Sequence, residues 1–354
     1  MRTLSRIVPN PCTNFRSANQ QSAKANQRLQ ISVTHGLSDE IHGPIAGTTM
    51  EWETVLKCNL CGSSDISNVD GANNISRCRD CGYVFACKRP SRNEIAEYYS
   101  RIDRYDHWLR HEKERDGLWK RRLSMVRRYK SSGYLLDVGT GTGQFLHSAE
   151  QYFHVTGTEI SENAIAIAKQ KYGLDIVKGD IEDLHFDCRF DLITLFHVLE
   201  HVCDPAGTVL KCRSLLNQDG LLLLAVPNDV SGLQPLMFRA LSFLKVGRFK
   251  KYGKMGLPKL TLDGSVPEIH LSHFTVPVLR SFLERNGFEV IEDTLDPFYA
   301  ARGIARAIHC IVYYCCLLVQ ELSGTNIYFA ILMVAKPRKR AIEYETRRPE
   351  GTCQ

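Results

Sequence analysis

At 354 residues the chain exceeds one average domain, and with 44% hydrophobic residues it has enough apolar side chains for a sizeable core. Its net charge of +6 is mild, so it permits anionic partners without calling for nucleic acid. Thirteen cysteines, an odd number with four in two CxxC pairs, argue for a metal in a reducing compartment rather than a secreted disulfide framework.

The first 38 residues hold five basic residues and no acid, among many Ser, Asn and Gln. Residues 1–50 therefore read as a disordered tail. Initiation at Met50 and a mitochondrial presequence are the alternatives, and the lack of an amphipathic period counts against the presequence. The expected location is the cytoplasm.

Residues 51–90 are turn-rich and contain Cys58-x2-Cys61-x16-Cys78-x2-Cys81. Each pair is followed by Gly, which permits a tight knuckle with its amides turned toward the sulfurs. Four thiolates at this spacing suit a tetrahedral structural zinc, with iron or a redox pair as alternatives. The segment is too small to fold on its own apolar area, so the metal is expected to supply its stability.

Residues 91–132 carry helical periodicity from Ser91 to Tyr129 and serve as a linker or lid. The charges of the stretch WKRRLSMVRRYK are expected to face solvent. Tyr98, Tyr99 and Tyr105 form either a half-buried stripe or a lid over a ligand.

From Gly133 to residue 336 strand and helix signals alternate, the mark of a parallel sheet covered on both faces. Strands are predicted at YLLDVG, HVTGTEI, LDIVKGD, FDLITLF, GLLLLAVPN and NIYFAILMVAK. Helices are predicted near Gln144–Tyr152, Glu162–Tyr172 and Pro205–Leu216, and VPVLRSFLERNGFEVIE reads as helix then strand. Ser161 and Asp204 look like N-caps, and Gly220 lies just past a helix end. The longest apolar run, Ile308–Val319, falls short of the roughly 18 to 20 residues that span a bilayer and is expected to be a packed helix. The end, from residue 337, is a solvated charged tail.

The chemistry centres on LLDVGTGTGQFL. It lacks the third glycine of a dinucleotide fingerprint, because Gln144 occupies that place, and it lacks the lysine of a phosphate-binding loop. What remains is Asp137 with Gly139, Gly141 and Gly143 closing a strand. The glycines let a ligand's amino-acid moiety press on the backbone, and Asp137 offers an acceptor to an ammonium. Glu159 ends the next strand, where an acid accepts ribose hydroxyls. Asp180, which ends the third, is placed for an exocyclic adenine amine. Ammonium, ribose and adenine together describe S-adenosylmethionine.

These motifs, with FDLITLFHVLEHVCDP and LLLLAVPN, make residues 115–336 resemble the class I S-adenosylmethionine-dependent methyltransferases. The resemblance implies a Rossmann-like, doubly wound α/β fold whose seven-stranded sheet ends in an antiparallel strand. It also implies that Ile160, Ile181 and Phe196 line the cofactor with His197, while Glu200 and His201 face the acceptor. Some relatives use acids and a His there to hold a divalent metal. With its N-terminal zinc ribbon, the chain is similar to bacterial small-molecule methyltransferases that act on sugars or natural products.

HVLEH also fits the pattern of inverted zinc peptidases, but its His197 directly follows a strand rather than sitting on a helix. His201, His197 and Glu200 are the catalytic candidates, and His270 and His273 are secondary ones. A ribosomal-RNA methyltransferase and a non-catalytic zinc protein that binds nucleic acid are the rival functions. A small-molecule acceptor is the expected partner, with nucleic acid disfavoured. The segment SGLQPLMFRALSFLKVGRFKKYGK is read as an acceptor lid that also permits peripheral membrane contact without a transmembrane segment.

Overall fold

The computed structural model describes residues 51–101, 105–263, 268–297 and 300–338. The tail read at 1–50 and all but the start of the charged segment 337–354 lie outside the described residues. The N-terminal strands are β1 (Trp52–Thr54), β2 (Ile66–Asp70), β3 (Ile75–Cys78), β4 (Val84–Ala86) and β5 (Lys88–Pro90). β2, β3 and β4 pair antiparallel, and β1 pairs with β5.

Three helices follow instead of one continuous stretch: α1 (Arg92–Ser100), α2 (Asp106–Arg110) and α3 (Glu112–Tyr129). The Ser91 hydroxyl caps α1 by accepting from the Glu94 amide, and Arg101 is extended at its end. On α3 the buried stripe runs Leu118, Arg122, Val126, one helical turn apart. That stripe corrects the expectation of a wholly solvent-facing basic run: Arg122 is 1% exposed.

The larger sheet is built from β6 (Tyr134–Val138), β7 (His154–Glu159), β8 (Val177–Lys178), β9 (Phe190–Phe196), β10 (Leu216–Pro227), β12 (Phe288–Leu295) and β13 (Ala330–Pro337). The short β11 (Ser272–His273) lies elsewhere. Between the strands run α4 (Gln144–Ala149), α5 (Glu162–Tyr172), α6 (Pro205–Leu215), α7 (Leu233–Phe243), α8 (Val276–Arg285) and α9 (Gly303–Ser323). The order is β12-β13-β10-β9-β6-β7-β8, with β13 antiparallel to both neighbours. This is the seven-stranded Rossmann-like sheet, with its last strand antiparallel, that the resemblance implies.

Ser161 and Asp204 both cap helices through their side chains. Gly220 does not end α6, because Leu216 is already extended and Gly220 lies within β10. The third parallel strand is shorter than LDIVKGD suggests. As an edge strand β8 pairs only Val177 and Lys178, so Asp180 lies beyond its last residue.

Alternation along each strand divides the core. Leu135, Leu192 and Leu223 face α3, α4 and α5, while Leu136, Ile193 and Leu222 face α6 and α8. Each fully buried leucine contributes roughly 1.5 to 3 kcal/mol relative to exposure. The cysteine-bearing strands join the second layer through Cys58, Cys78, Tyr83 and Phe85. They are also joined to the rest by hydrogen bonds: β11 adds to the edge of β4, with Ser272 opposite Phe85.

α9 departs most from expectation. It is 21 residues long and apolar enough by composition to cross a membrane, yet it is not the packed helix expected, since Cys316 is its one buried residue.

Candidate functional site

A cleft at the carboxyl ends of β6, β7, β8 and β9 gathers the sequence-predicted groups. Gly139 and Gly141 form its floor after β6, both in the left-handed region with φ of 65° and 57°. A side chain at Gly139 would meet Val198 Cγ2 at 2.6 Å. The tight turn therefore requires glycine there. Gly143 is not in the wall. It starts α4 at φ 79°, where a Cβ would strike Leu174 at 2.6 Å.

Asp137 sits beneath the floor, 4% exposed, with its Oδ1 accepting from Thr194 Oγ1 at 2.6 Å. Burial pushes its carboxyl up to about 6, against the pull of the Thr194 hydrogen bond. Glu159 is a wall residue at the end of β7. Its Oε2 accepts from the Gly141 amide at 2.8 Å, and its Oε1 accepts from the Ile160 and Ser161 amides at 2.9 Å each. Burial still raises its proton affinity in spite of these three donors. Asp180 and Ile181 line the far end, where Arg92 of α1 forms an ion pair with Asp180 and reaches Asp183 at 2.8 Å.

Opposite these acids, β9 delivers Phe196 and His197. His197 takes a left-handed conformation at φ 58°, a strained choice for a residue other than glycine. The reason is visible in its partners: Nδ1 lies 3.2 Å from Glu200 Oε1, and Nε2 lies 3.2 Å from Asp296 Oδ2. Burial works against its charge, but the Asp296 and Glu200 carboxylates outweigh it and raise its proton affinity. Asp296 is wholly buried and also binds Arg122 through two hydrogen bonds, one of 2.9 Å from Nε.

His201 behaves differently. Its Nδ1 lies 2.6 Å from the Ile269 carbonyl, which can only accept, so Nδ1 carries the proton. Nε2 is left with its lone pair, 3.8 Å from Glu200 Oε1. The Tyr99 hydroxyl stands 3.0 Å from the same Nδ1. Burial lowers the proton affinity of His201, so the ring is neutral at neutral pH. Glu200 is 0% exposed and does not reach the cleft surface, and among the described residues its Oε2 has no hydrogen-bond partner.

A second cavity of about 190 Å³, comparable to the first at about 200 Å³, adjoins it, and Glu268 lines both. Its walls include Asp229, His270, His273 and the α7 residues Gln234, Pro235 and Phe238. Asp229 Oδ2 is 2.7 Å from His270 Nδ1 and 3.1 Å from His273 Nδ1. Burial opposes charge on Asp229, but the two imidazoles hold its carboxyl far below the usual range. His270 is raised well above an ordinary imidazole, Asp229 and Glu268 overcoming its burial. It is thus held as an acid, not a base. Two triads bring potential metal-ligand atoms within 4.8 Å of one another: Glu200–His201–His270 and Asp229–His270–His273.

Several site groups carry no motif. Arg115 stacks on Trp108 at 4.2 Å and Trp119 at 5.3 Å, and burial followed by nearby Arg122 pushes its guanidinium down to about 10. Trp108 covers Gly141, whose Cβ would sit 3.2 Å from that ring, so Arg115 stands near the glycine floor. Of the tyrosines, Tyr98 is buried, while Tyr99 and Tyr105 line the cleft.

The cysteines converge on a separate centre. Cys58 Sγ is 3.5 Å from Cys81 Sγ, and Cys61 Sγ is 3.6 Å from Cys78 Sγ, with all four atoms within 4.8 Å of one another. Gly62 and Gly82 close the two knuckles at φ 76° and 75°. Cys87 stays outside this set, its thiol donating to the Asn74 carbonyl.

Residues 105–293 match the family model described as a methyltransferase domain. A ubiquinone biosynthesis O-methyltransferase of Haemophilus ducreyi is 37% identical over 106 residues, 27% of this chain and 45% of that protein. A probable S-adenosylmethionine-dependent methyltransferase of Mycolicibacterium smegmatis is 27% identical over 175 residues, 49% of this chain and 57% of that protein. The chain thus spans about half the length of the curated relatives it matches. Among solved structures, magnesium protoporphyrin IX methyltransferase from Synechocystis with bound SAH aligns at a TM-score of 0.44 and 15% identity, over 70% of this chain and 99% of that one.

Proposed function

The chain belongs to the methyltransferase-domain family, matched by its residues 105–293, and we propose that it moves a methyl group from S-adenosylmethionine to a small-molecule acceptor such as a sugar or secondary metabolite. One observation carries this reading. Glu159 at the end of β7 and Asp180 just past β8 line one cleft, Asp137 lies beneath its glycine floor near the end of β6, and a neutral imidazole with its Nε2 lone pair available lines the same cleft.

The residues present fit the cofactor. Glu159, held by three amides, presents its carboxylate to the ribose, and Asp180 shares its oxygens between Arg92 and the adenine amine. Asp137 accepts from the ammonium, and Arg115 at the glycine floor meets the carboxylate of the methionine moiety. Phe196, Ile160 and Ile181 supply apolar wall. When bound, S-adenosylmethionine supplies a methyl group that is already electrophilic. The protein's part is then to align the acceptor and remove its proton. His201 Nε2 takes that proton, and Nδ1–H···O=C to Ile269 fixes the tautomer that makes this possible. His197 and Arg122 also line the cleft, and their shared contacts to Asp296, with the His197 contact to Glu200, hold the loop after β9. The O-methyltransferase named among the relatives favours a hydroxyl as the attacking group.

The cysteine centre fits a structural zinc. Zn–S bonds of about 2.3 Å make a tetrahedron with edges of about 3.8 Å, close to the observed 3.5 and 3.6 Å. Residues 51–90 are accordingly a zinc ribbon whose role is structural.

The test is calorimetric titration with S-adenosylmethionine, followed by incubation of the labelled cofactor with fractionated cell extract. Wild type should bind in the micromolar range, and Glu159→Ala should weaken binding more than tenfold, since a charge-assisted hydrogen bond contributes about 1.5 to 3 kcal/mol. Equal affinities would remove Glu159 from the site. RNA binding without cofactor binding would favour the non-catalytic rival. Activity lost to a chelator and restored by a divalent ion would shift His201 from proton transfer to cation binding together with Glu200 and His270.

A further inference from the structure

The exposed side of α9 has no part in the cleft and lies beyond the family-matched segment. It turns Ile304, Ile308, Ile311, Tyr314, Leu318 and Leu322 to solvent, each between 55% and 82% exposed. Their spacing of three and four residues makes one continuous stripe along the helix. A core helix of this composition would be mostly buried, yet only 6% of its most apolar stretch is. The opposite side is fastened to the sheet: Cys316 packs with Leu295 and Tyr328, and Gln320 Nε2 donates to the Asp293 carbonyl at 3.2 Å. A helix fixed along one side to a folded domain cannot be ringed by lipid, so it is suited to lie on a bilayer and not to cross it.

A second exposed apolar end lies on α7, where Phe243 and Leu244 are 86% and 67% exposed. α7 starts close to where α9 stops, because the Leu233 amide donates to the Ile327 carbonyl at 2.8 Å. The chain around α7, from Val230 to Leu262, holds seven basic residues and no acid. Arg302 and Arg306 sit at the start of α9.

We propose that α9 and the exposed end of α7 form a docking face for an anionic lipid bilayer, with their apolar side chains in the headgroup layer and the adjoining lysines and arginines on the lipid phosphates. Charge decides between this partner and a second copy of the chain. Pairing two copies would bring together two acid-free basic stretches, whereas anionic headgroups complement them. The proposal also gives α7 a use on both sides: Gln234, Pro235 and Phe238 wall the second cavity, while Leu236 and Met237 face outward.

The test is co-sedimentation of the full chain with vesicles of phosphatidylglycerol and phosphatidylcholine, and with phosphatidylcholine alone. Binding should require the anionic lipid and fall with added salt. Ile308→Glu/Ile311→Glu/Leu318→Glu, shown by circular dichroism to keep the wild-type fold, should abolish it. Lys245→Glu/Lys254→Glu touches no helix packing and should weaken it at least roughly tenfold, which keeps the test decisive if the first variant misfolds. Wild type that stays in the supernatant with anionic vesicles overturns the proposal. Sedimentation velocity showing a dimer that the triple variant dissociates, with no vesicle binding, overturns it in favour of a second copy.

Discussion

Replacing Asp296 by leucine should be among the most damaging single changes in the molecule. Its carboxylate is wholly buried, accepts two hydrogen bonds from Arg122 and one from His197, and is held down to about 2 by these cations in spite of its burial. With Asp296 gone, Arg122, a guanidinium at 1% exposure, loses both of these hydrogen bonds and the charge set directly against it. Breaking a buried pair from one side costs roughly 3 to 5 kcal/mol. Against a total stability of about 5 to 15 kcal/mol that is about a fifth or more of the whole. For a domain of this size the melting temperature should fall by roughly 6 to 20 °C, readable by calorimetry. Arg122→Met/Asp296→Leu should recover most of the loss, because an apolar pair of similar volume removes the buried charge along with its lost counter-charge. If Asp296→Leu melts within about 2 °C of wild type, the buried pair does not contribute to stability as argued, and the argument fails.

His201→Ala should lower kcat by roughly 10² or more while cofactor affinity stays within a few-fold. The wild-type rate should rise with pH through a group below the ordinary imidazole value of 6.5, because burial favours the neutral ring; persistence of that limb in the mutant would place the base elsewhere. Asp137, raised from 3.8 to about 6, should make S-adenosylmethionine affinity climb about tenfold per pH unit up to about pH 6 and level off above, since only the carboxylate accepts from an ammonium. By the same sign, ionising Asp137 costs the empty protein stability progressively between pH 3.8 and 6, so Asp137→Asn should melt higher at pH 7 yet bind cofactor poorly. Cys58→Ser should abolish a zinc content close to one per chain, measured by metal analysis after zinc-supplemented expression; a metal-free wild type would remove the zinc.

The sheet and the acids at its strand ends were legible because each is encoded locally. Near-continuous apolar runs mark β6, β9 and β10, and the glycines after Asp137 mark a turn that admits no side chain. The Arg122–Asp296 pair was illegible as a pair, since 174 residues separate its members. Even so, half of it was written in the chain: Arg122 stands midway between Leu118 and Val126, on the stripe that had to be buried. The roles of the histidines were hidden for a different reason. His197, His201 and His270 look alike as letters, and only the burial and the carbonyl or carboxylate each one meets raise the proton affinity of the first and third and lower that of the second. α9 was misread because apolarity reports a need to leave water, not which neighbour satisfies it.

The strand β11, borrowed by the cysteine-bearing sheet, sets an order of events during synthesis. Phe85 leaves the ribosome about 190 residues before Ser272, its partner. At 5 to 20 residues per second the two knuckles wait roughly 10 to 40 s with the outer edge of β4 open. A metal caught during that wait would hold the hairpin in register until the later chain arrives, so zinc starvation should act on the nascent protein more severely than on the finished one. Since β11 carries His273 and starts two residues after His270, the last edge of this sheet to close is also the one that sets the second cavity's histidines in place.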